Sequence, residues 1–172
     1  MTMRKLGAFA IVCCLAASAA RAQDQPKPGP EHEGLKQYVG TWDATMKMGG
    51  MDSKCTSTYK MDLGGLWLSS TFDGEVFGAK FQGKGMDTYD QAKKKYVALW
   101  CDSMSTSPMV MEGTYDKEKK TLTMVGEGPG QDGKPQKHKT VTEWKDDDFF
   151  VFHMYMGDVK EPAFTIEYKR KK

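Results

Sequence analysis

Methionine is the most unusual candidate for chemistry in this sequence. The 172-residue chain contains 13 methionines, and three pairs have a spacing that places both thioether sulfurs on one side of a β-strand. These pairs are Met46 with Met48, Met109 with Met111, and Met154 with Met156. Soft sulfur suits Cu(I), whereas the same unbranched side chains also fill irregular apolar space and adapt to varied ligands. The spacing therefore allows either a copper site or a deformable cavity lining.

Histidine is scarce, with three in the chain. His32 stands between two glutamates, and His138 begins a basic segment. His153 lies within Phe149 to Met156, where it shares one face with Val151 and Tyr155. The opposite face carries only apolar side chains, so parity predicts that His153 points outward or toward a polar rim.

Acidic and hydroxyl side chains form no recognised catalytic motif. Asp102, Tyr115 or Glu112 could serve an enzyme that works inside a cup-shaped site, but such residues are equally typical of turns and rims. The serines that precede Pro108 are not part of a nucleophile elbow and have no histidine tied to them. The sequence therefore predicts no catalytic residue and no cofactor.

One glycine-rich segment imitates a phosphate-binding loop. Residues 128–134 satisfy both G-x-G-x-x-G and the first seven positions of a phosphate loop. Such a loop needs a Ser or Thr after its lysine and a following helix, but Pro135 comes next and Lys137 to Val141 alternates like a strand. We therefore predict a wide hairpin loop.

The N-terminus has the features of an export signal. Two cations within the first five residues precede an apolar run from Leu6 to Ala20, and Ala20-Arg21-Ala22 fits a signal peptidase site. We therefore predict a signal peptide at 1–22, an extended leader at 23–30 and a single domain at 31–172, with a periplasmic or secreted location. The apolar run is shorter than a membrane span, so no span is expected after cleavage.

The charge of the predicted mature chain argues against nucleic-acid binding. Loss of Arg4, Lys5 and Arg21 leaves 22 basic residues against 23 acidic ones, and a basic surface is what drives such binding. Cys55 and Cys101 remain, which permits one disulfide, although two unpaired small side chains are the simpler interpretation. The oligomeric state is not encoded in any pattern.

Hydrophobic residues alternate with polar ones along almost the whole chain after residue 40. A short helix is expected first, at Glu31 to Val39, with Leu35, Tyr38 and Val39 on its apolar side. The alternation then predicts ten strands between Gly40 and Lys169, separated by turn residues such as Asp73-Gly74 and Gly157-Asp158. No interval is long enough for a crossover helix. The predicted fold is therefore an all-β, up-and-down antiparallel barrel with one short N-terminal helix.

Several motifs resemble those of one protein family. They are Val39-Gly40-Thr41-Trp42, Leu63-Gly64-Gly65-Leu66-Trp67-Leu68, Phe81-x-Gly83-x-Gly85, Trp100-x-Asp102-Ser103-Met104-Ser105-Thr106 and Glu112-Gly113-Thr114-Tyr115-Asp116. Together they resemble the DUF1579 family of uncharacterised bacterial proteins over nearly all of the mature chain. The Gly-x-Trp that follows a short helix also resembles the opening of lipocalins and other calycins. This resemblance implies a calycin-like barrel closed at one end by the helix, with Trp42 across its floor, and implies no activity.

The function that these observations favour is non-covalent binding of a small apolar or amphipathic molecule in a barrel cavity. We expect fourteen side chains to face that cavity: Met46, Tyr59, Met61, Leu68, Phe72, Phe81, Trp100, Met111, Tyr115, Met124, Phe152, Met154, Phe164 and Ile166. The parity of the Trp100 strand is ambiguous, because Val97, Leu99 and Cys101 offer the other face. The alternatives are a haem protein that uses His153, as the likeness to haem-binding calycins suggests, a Cu(I) protein that uses the paired methionines, and a filled barrel that acts as a structural or partner-binding module.

Overall fold

The computed structural model describes residues 25–130 and 134–172. The predicted signal peptide and the first two residues of the leader lie outside this part, as do residues 131–133 of the glycine-rich loop. Residues 25–29 of the leader form neither helix nor strand.

Ten β-strands account for most of the described chain. Their bounds are β1 (Gly40–Met48), β2 (Met51–Asp62), β3 (Trp67–Val76), β4 (Ala79–Asp90), β5 (Lys95–Asp102), β6 (Met109–Asp116), β7 (Thr121–Pro129), β8 (Pro135–Asp146), β9 (Phe149–Met156) and β10 (Phe164–Arg170). A 3-10 turn, Leu63–Gly65, lies between β2 and β3.

Each strand pairs antiparallel with the next one along the chain, and β10 pairs antiparallel with β1. This last pairing places Ala44 opposite Tyr168 and Met46 opposite Ile166. The described residues therefore form a closed ten-stranded barrel without a free edge. The predicted all-β, up-and-down architecture is confirmed.

The N-terminal helix is shorter than predicted. Helix α1 spans Pro30–Leu35 and is followed by a 3-10 turn at Lys36–Tyr38. Pro30 suits the first helical position because its missing N–H would have no partner there. Leu35 and Tyr38 are buried, as expected, but Val39 is exposed. The prediction for Val39 was wrong because the tighter turn and an extended backbone at Val39 take it out of the apolar stripe.

The expected turn at Asp73-Gly74 is also wrong. Strand β3 continues to Val76, and the turn lies at Phe77 and Gly78, both of which have positive φ. Gly74 instead pairs with Cys55 of β2, and a Cβ atom at Gly74 would lie 2.8 Å from the Cys55 Cβ. Glycine is required here for close approach inside the barrel, not for chain reversal.

Aromatic side chains close one end of the barrel. The Trp42 side chain is fully buried, and its indole N–H donates to the Tyr38 carbonyl at 2.7 Å. The Phe150 and Tyr168 rings stack with centroids 4.3 Å apart, and the Trp42 ring meets Phe150 edge-on at 4.8 Å. These contacts join β1, β9 and β10 to the 3-10 turn at Lys36–Tyr38 and form the floor of the barrel.

Arg170, on β10, stabilises this floor. Its guanidinium lies 4.1 Å from the centre of the Trp42 ring and donates to the carbonyls of Gln37 and Val39. It also pairs with the Asp148 carboxylate at 2.9 Å. The planar, multi-donor group therefore ties the helical segment to the closing strand.

Candidate functional site: the barrel interior

Cross-strand pairing defines which side chains face the interior, because residues directly opposite each other share one face of the sheet. All fourteen predicted cavity residues belong to the inner face. The connected rows that establish this are Met46–Ile166–Phe152, Met61–Leu68, Tyr115–Leu122–Thr142–Phe152, Met124–Thr140–Met154–Phe164, Tyr59–Ser70–Gly85–Trp100, Phe72–Gly83, Gly74–Phe81 and Ala98–Met111. Trp100 faces inward, and Val97, Leu99 and Cys101 face outward. The role of the fourteen in binding remains a prediction.

Inward-facing side chains are buried on one part of the barrel wall and partly accessible to solvent on another. On β1 and β3 the large inward side chains include Trp42, Met46, Leu68 and Phe72, all of which are buried. On β4 and β5, by contrast, each inward residue other than glycine keeps part of its surface accessible: Ala79, Phe81, Asp87, Tyr89, Tyr96, Ala98, Trp100 and Asp102. Because these side chains point into a closed barrel, their accessible surface indicates space within it.

The Trp100 indole defines one wall of this space. Its ring lies over Gly83 of β4, where a Cβ atom would overlap it, and its edge is 3.5 Å from the Cβ position of Gly85. The indole N–H donates to the Asp102 carboxylate at 2.9 Å. Because Gly83 and Gly85 of Phe81-x-Gly83-x-Gly85 have no side chains, the Trp100 ring packs against the backbone of β4. The hydrogen bond to Asp102 fixes the orientation of the ring.

A carboxyl group lies deeper inside, at Asp87. This residue is opposite Leu68 on one side and Ala98 on the other, and burial raises the pKa of its carboxyl to about 7. The charge of Asp87 contributes, after burial itself, to raising the pKa of Tyr59 to about 12 and the pKa of Tyr38 above its ordinary value. The three groups therefore lie close enough to interact electrostatically. They are near the end of the barrel that the N-terminal helix covers.

Sequence reasoning missed Asp87, although a signal for it existed. Phe81, Gly83, Gly85, Asp87 and Tyr89 alternate along β4, so a charged residue occupies a position of inward parity. Glycines at two of these five positions weakened the alternation of hydrophobic residues.

A second cluster lies across Gly128 of β7. The position of a Cβ atom at Gly128 would be 3.3 Å from the Met109 sulfur and 3.4 Å from His138 Cε1. Met156 is directly opposite His138 in the β8–β9 pair. The absence of a side chain at Gly128 therefore lets the Met109 thioether and the His138 imidazole approach each other on the inner face, and Met156 occupies the neighbouring inner position on β9.

The histidine singled out by the haem hypothesis lies on the outer face. His153 Nδ1 is 3.0 Å from the Thr165 hydroxyl, and its Nε2 is 3.9 Å from the Glu143 carboxylate. The predicted outward parity is confirmed by the strand register. His153 therefore does not reach a haem held inside the barrel, which corrects that hypothesis.

The candidate catalytic residues do not converge. Tyr115 and Asp102 face inward, but Glu112 lies on the outer face and pairs with Lys93 and Lys95. These lysines lower the pKa of Glu112. Glu112 therefore does not reach a site inside the barrel, because Glu112 and Tyr115 are three residues apart on β6 and point to opposite faces.

The two cysteines of the predicted mature chain also lie on opposite faces. Cys55 is buried on the inner face of β2, whereas Cys101 is exposed on the outer face of β5, and both are free thiols. Burial raises the pKa of the Cys55 thiol. Cys55 therefore acts as a small core residue beside Gly74.

A groove of about 490 Å³ lies on the outer wall beside the loop that follows β9. Lys137, Lys139 and Lys160 line it together with Glu127 and Asp158. Its mixed charges select neither an anion nor a cation. Sequence reasoning did not predict this groove, because its loop and strand residues are far apart along the chain.

The fold and the site define a small antiparallel barrel protein with an accessible interior. Within 25–130 and 134–172, no helix has the length and hydropathy of a membrane span, and no three His, Cys, Asp or Glu side chains converge as metal ligands.

A family model described as "Protein of unknown function (DUF1579)" matches residues 27–170, and the chain belongs to this family. A comparison with curated proteins found no match. Among solved structures, a redesigned beta barrel is 16% identical, with a TM-score of 0.45, over 80% of this chain and 95% of that one.

Proposed function

We propose that this DUF1579 protein is exported and binds a small apolar or amphipathic molecule, non-covalently, inside the barrel. One observation carries the proposal: the inward side chains of β4 and β5 keep accessible surface, although they point into a closed barrel. A filled barrel would bury them as Trp42, Met46, Leu68 and Phe72 are buried on β1 and β3. Aromatic and thioether groups line the remaining space, and such groups adapt to varied apolar ligands.

Substitution of Ala98 by Trp tests this proposal. Ala98 faces inward between Asp87 and Met111 and is partly accessible, so a large ring there fills the space without replacing a buried core residue. We expect the affinity for decan-1-ol, measured by isothermal titration calorimetry, to fall at least tenfold, which is about 1.4 kcal/mol.

The matched control is Leu99→Trp. Leu99 is the next residue on β5 and is exposed on the outer face, so the same ring there should leave the affinity unchanged. Native mass spectrometry of the gently purified protein should show a retained small molecule in the wild type and not in Ala98→Trp. If neither method detects binding to the wild type, the ligand-binding proposal fails, and the filled-barrel alternative replaces it.

Binding of Cu(I) is a second candidate function, favoured by the approach of Met109 and His138 across Gly128 and by the position of Met156 opposite His138. Imidazole and thioether groups are suitable ligands for this ion. Along the sequence no histidine shares a strand face with a methionine pair, but the pairing of β8 with β9 places His138 opposite Met156. Each sulfur comes from a different pair.

Competition with a chromogenic Cu(I) chelator under anaerobic conditions tests this candidate. We expect the wild type to withdraw one Cu(I) per chain and Met109→Leu combined with Met156→Leu to lose at least tenfold in affinity. Met46→Leu, a buried inner-face change on β1, is the control. Equal affinities in all three proteins would eliminate the site.

A further inference from the structure

We infer that the barrel interior recognises amphipathic organic cations, with the ammonium head group bound by the carboxylate of Asp87. This inference rests on the proposed function and names the class of ligand for the same site. Its first support is the position of Asp87 between Leu68 and Ala98, on the inner wall. These neighbours carry no hydrogen-bonding side-chain group, and none of the hydrogen bonds or ion pairs among the described residues involves the Asp87 carboxylate.

No lysine on a described strand shares the inner wall with this group. Each lysine on a described strand occupies a position of outward parity, and the strand register gives Arg170 the inner position opposite Trp42. Arg170 is already paired with Asp148 and bonded to Gln37 and Val39. A carboxylate in such surroundings is stabilised by a ligand that brings its own positive charge and N–H donors.

The surroundings of Asp87 fit the rest of such a ligand. Ala98 leaves room beside the carboxyl group, and Trp100 follows on the same face of β5, with Met109 opposite it on β6. The accessible wall therefore runs from a carboxyl group near the helix-covered end to aromatic and thioether groups farther along. A polar head followed by an unbranched apolar chain matches this order. The ring of Tyr59, close enough to respond to the charge of Asp87, adds an aromatic surface on the neighbouring wall.

Three ten-carbon probes separate the possibilities: decylammonium, decan-1-ol and decanoate. At pH 8 we expect the wild type to bind decylammonium at least tenfold more tightly than decan-1-ol, and decanoate most weakly. Asp87→Asn keeps the shape of the side chain and should remove the preference for decylammonium while leaving decan-1-ol affinity unchanged. Asp73→Asn, which removes an outer-face carboxylate bonded to Gln82, should behave like the wild type.

A pH series on the wild type gives a test that does not depend on the variant's folding. Decylammonium affinity should rise between pH 5 and pH 8 as Asp87 loses its proton, whereas decan-1-ol affinity stays flat. Other titratable groups on the elements that pack around the same end of β4 are His32, Tyr38, Tyr59, Tyr89 and Tyr96. A slope that persists in Asp87→Asn would assign the effect to one of these and overturn the inference.

The outcomes distinguish the inference from the function on which it rests. Equal binding of decylammonium and decan-1-ol by the wild type, or a preference for decanoate, overturns cation recognition but leaves ligand binding intact. Failure of all three probes, together with no retained molecule in native mass spectrometry, overturns both.

Discussion

Replacement of Trp42 by alanine is expected to lower the free energy of unfolding by about 3–5 kcal/mol, the usual cost of removing a fully buried large aromatic side chain. The ring has no exposed surface, donates to the Tyr38 carbonyl and lies under the Arg170 guanidinium. Its removal leaves a cavity at the floor and frees a buried carbonyl. Equilibrium unfolding in urea, followed by circular dichroism, measures the loss.

Trp67→Ala is the matched control. Trp67 belongs to β3 but lies on the outer face and is only partly buried, so its loss should cost about 1 kcal/mol. Equal losses of unfolding free energy at the two positions would mean that the contacts of Trp42 at the floor contribute nothing to stability. That result would contradict the assignment of Trp42 as the residue that joins the first strand to the helical segment.

Asp87→Asn is expected to change how stability depends on pH. The native pKa is raised to about 7, while an unfolded aspartate has a pKa of about 3.9. The native state therefore keeps its proton to higher pH than the unfolded state, so the contribution of this carboxyl is greatest below about pH 4 and is lost as the pH rises toward 7. The lost stability approaches about 4 kcal/mol, because each tenfold difference in proton affinity between the two states corresponds to about 1.4 kcal/mol.

Urea unfolding of the wild type and Asp87→Asn at pH 5 and pH 8, without ligand, measures this effect. We expect the variant to gain stability relative to the wild type as the pH rises. Other titratable groups around the same end of β4, namely His32, Tyr38, Tyr59, Tyr89 and Tyr96, are present in both proteins and cancel in the difference. Asp73→Asn serves as the comparison at an exposed carboxylate. Parallel curves for the wild type and Asp87→Asn would show that burial does not perturb the Asp87 carboxyl.

Local alternation was sufficient to predict most of the barrel. The segment Phe149–Met156, taken as a strand from the sequence, forms β9 with the same bounds, because turn residues flank it on both sides. The prediction failed at Gly74, where a glycine after an aspartate is typical of a turn but serves here to admit the Cys55 side chain. That requirement comes from a neighbouring strand, so the local sequence could not reveal it.

The candidate site was predicted only in part. Parity assigned fourteen side chains to the inner face, because a strand alternates its faces regardless of its partner. The accessible and packed sides of the interior could not be inferred in this way, since each strand contributes apolar residues to both. Likewise, Glu112 and Tyr115 were both candidates for a site inside the barrel, whereas the pleat places them on opposite faces of β6.

The amino-acid sequence determined the all-β fold, the strand order and the inward set, because these follow from period-two patterning and short connections that act within one strand or one hairpin. The tertiary structure decided four further features. They are the pairing of β10 with β1, the packing of Trp100 on Gly83, the proximity of Met109 to His138 and the position of Asp87 near Tyr38. Each of these depends on the register between strands or on the seating of the helical segment against the barrel. Such long-range relations fix distances and burial, and with them the chemistry that the interior can support.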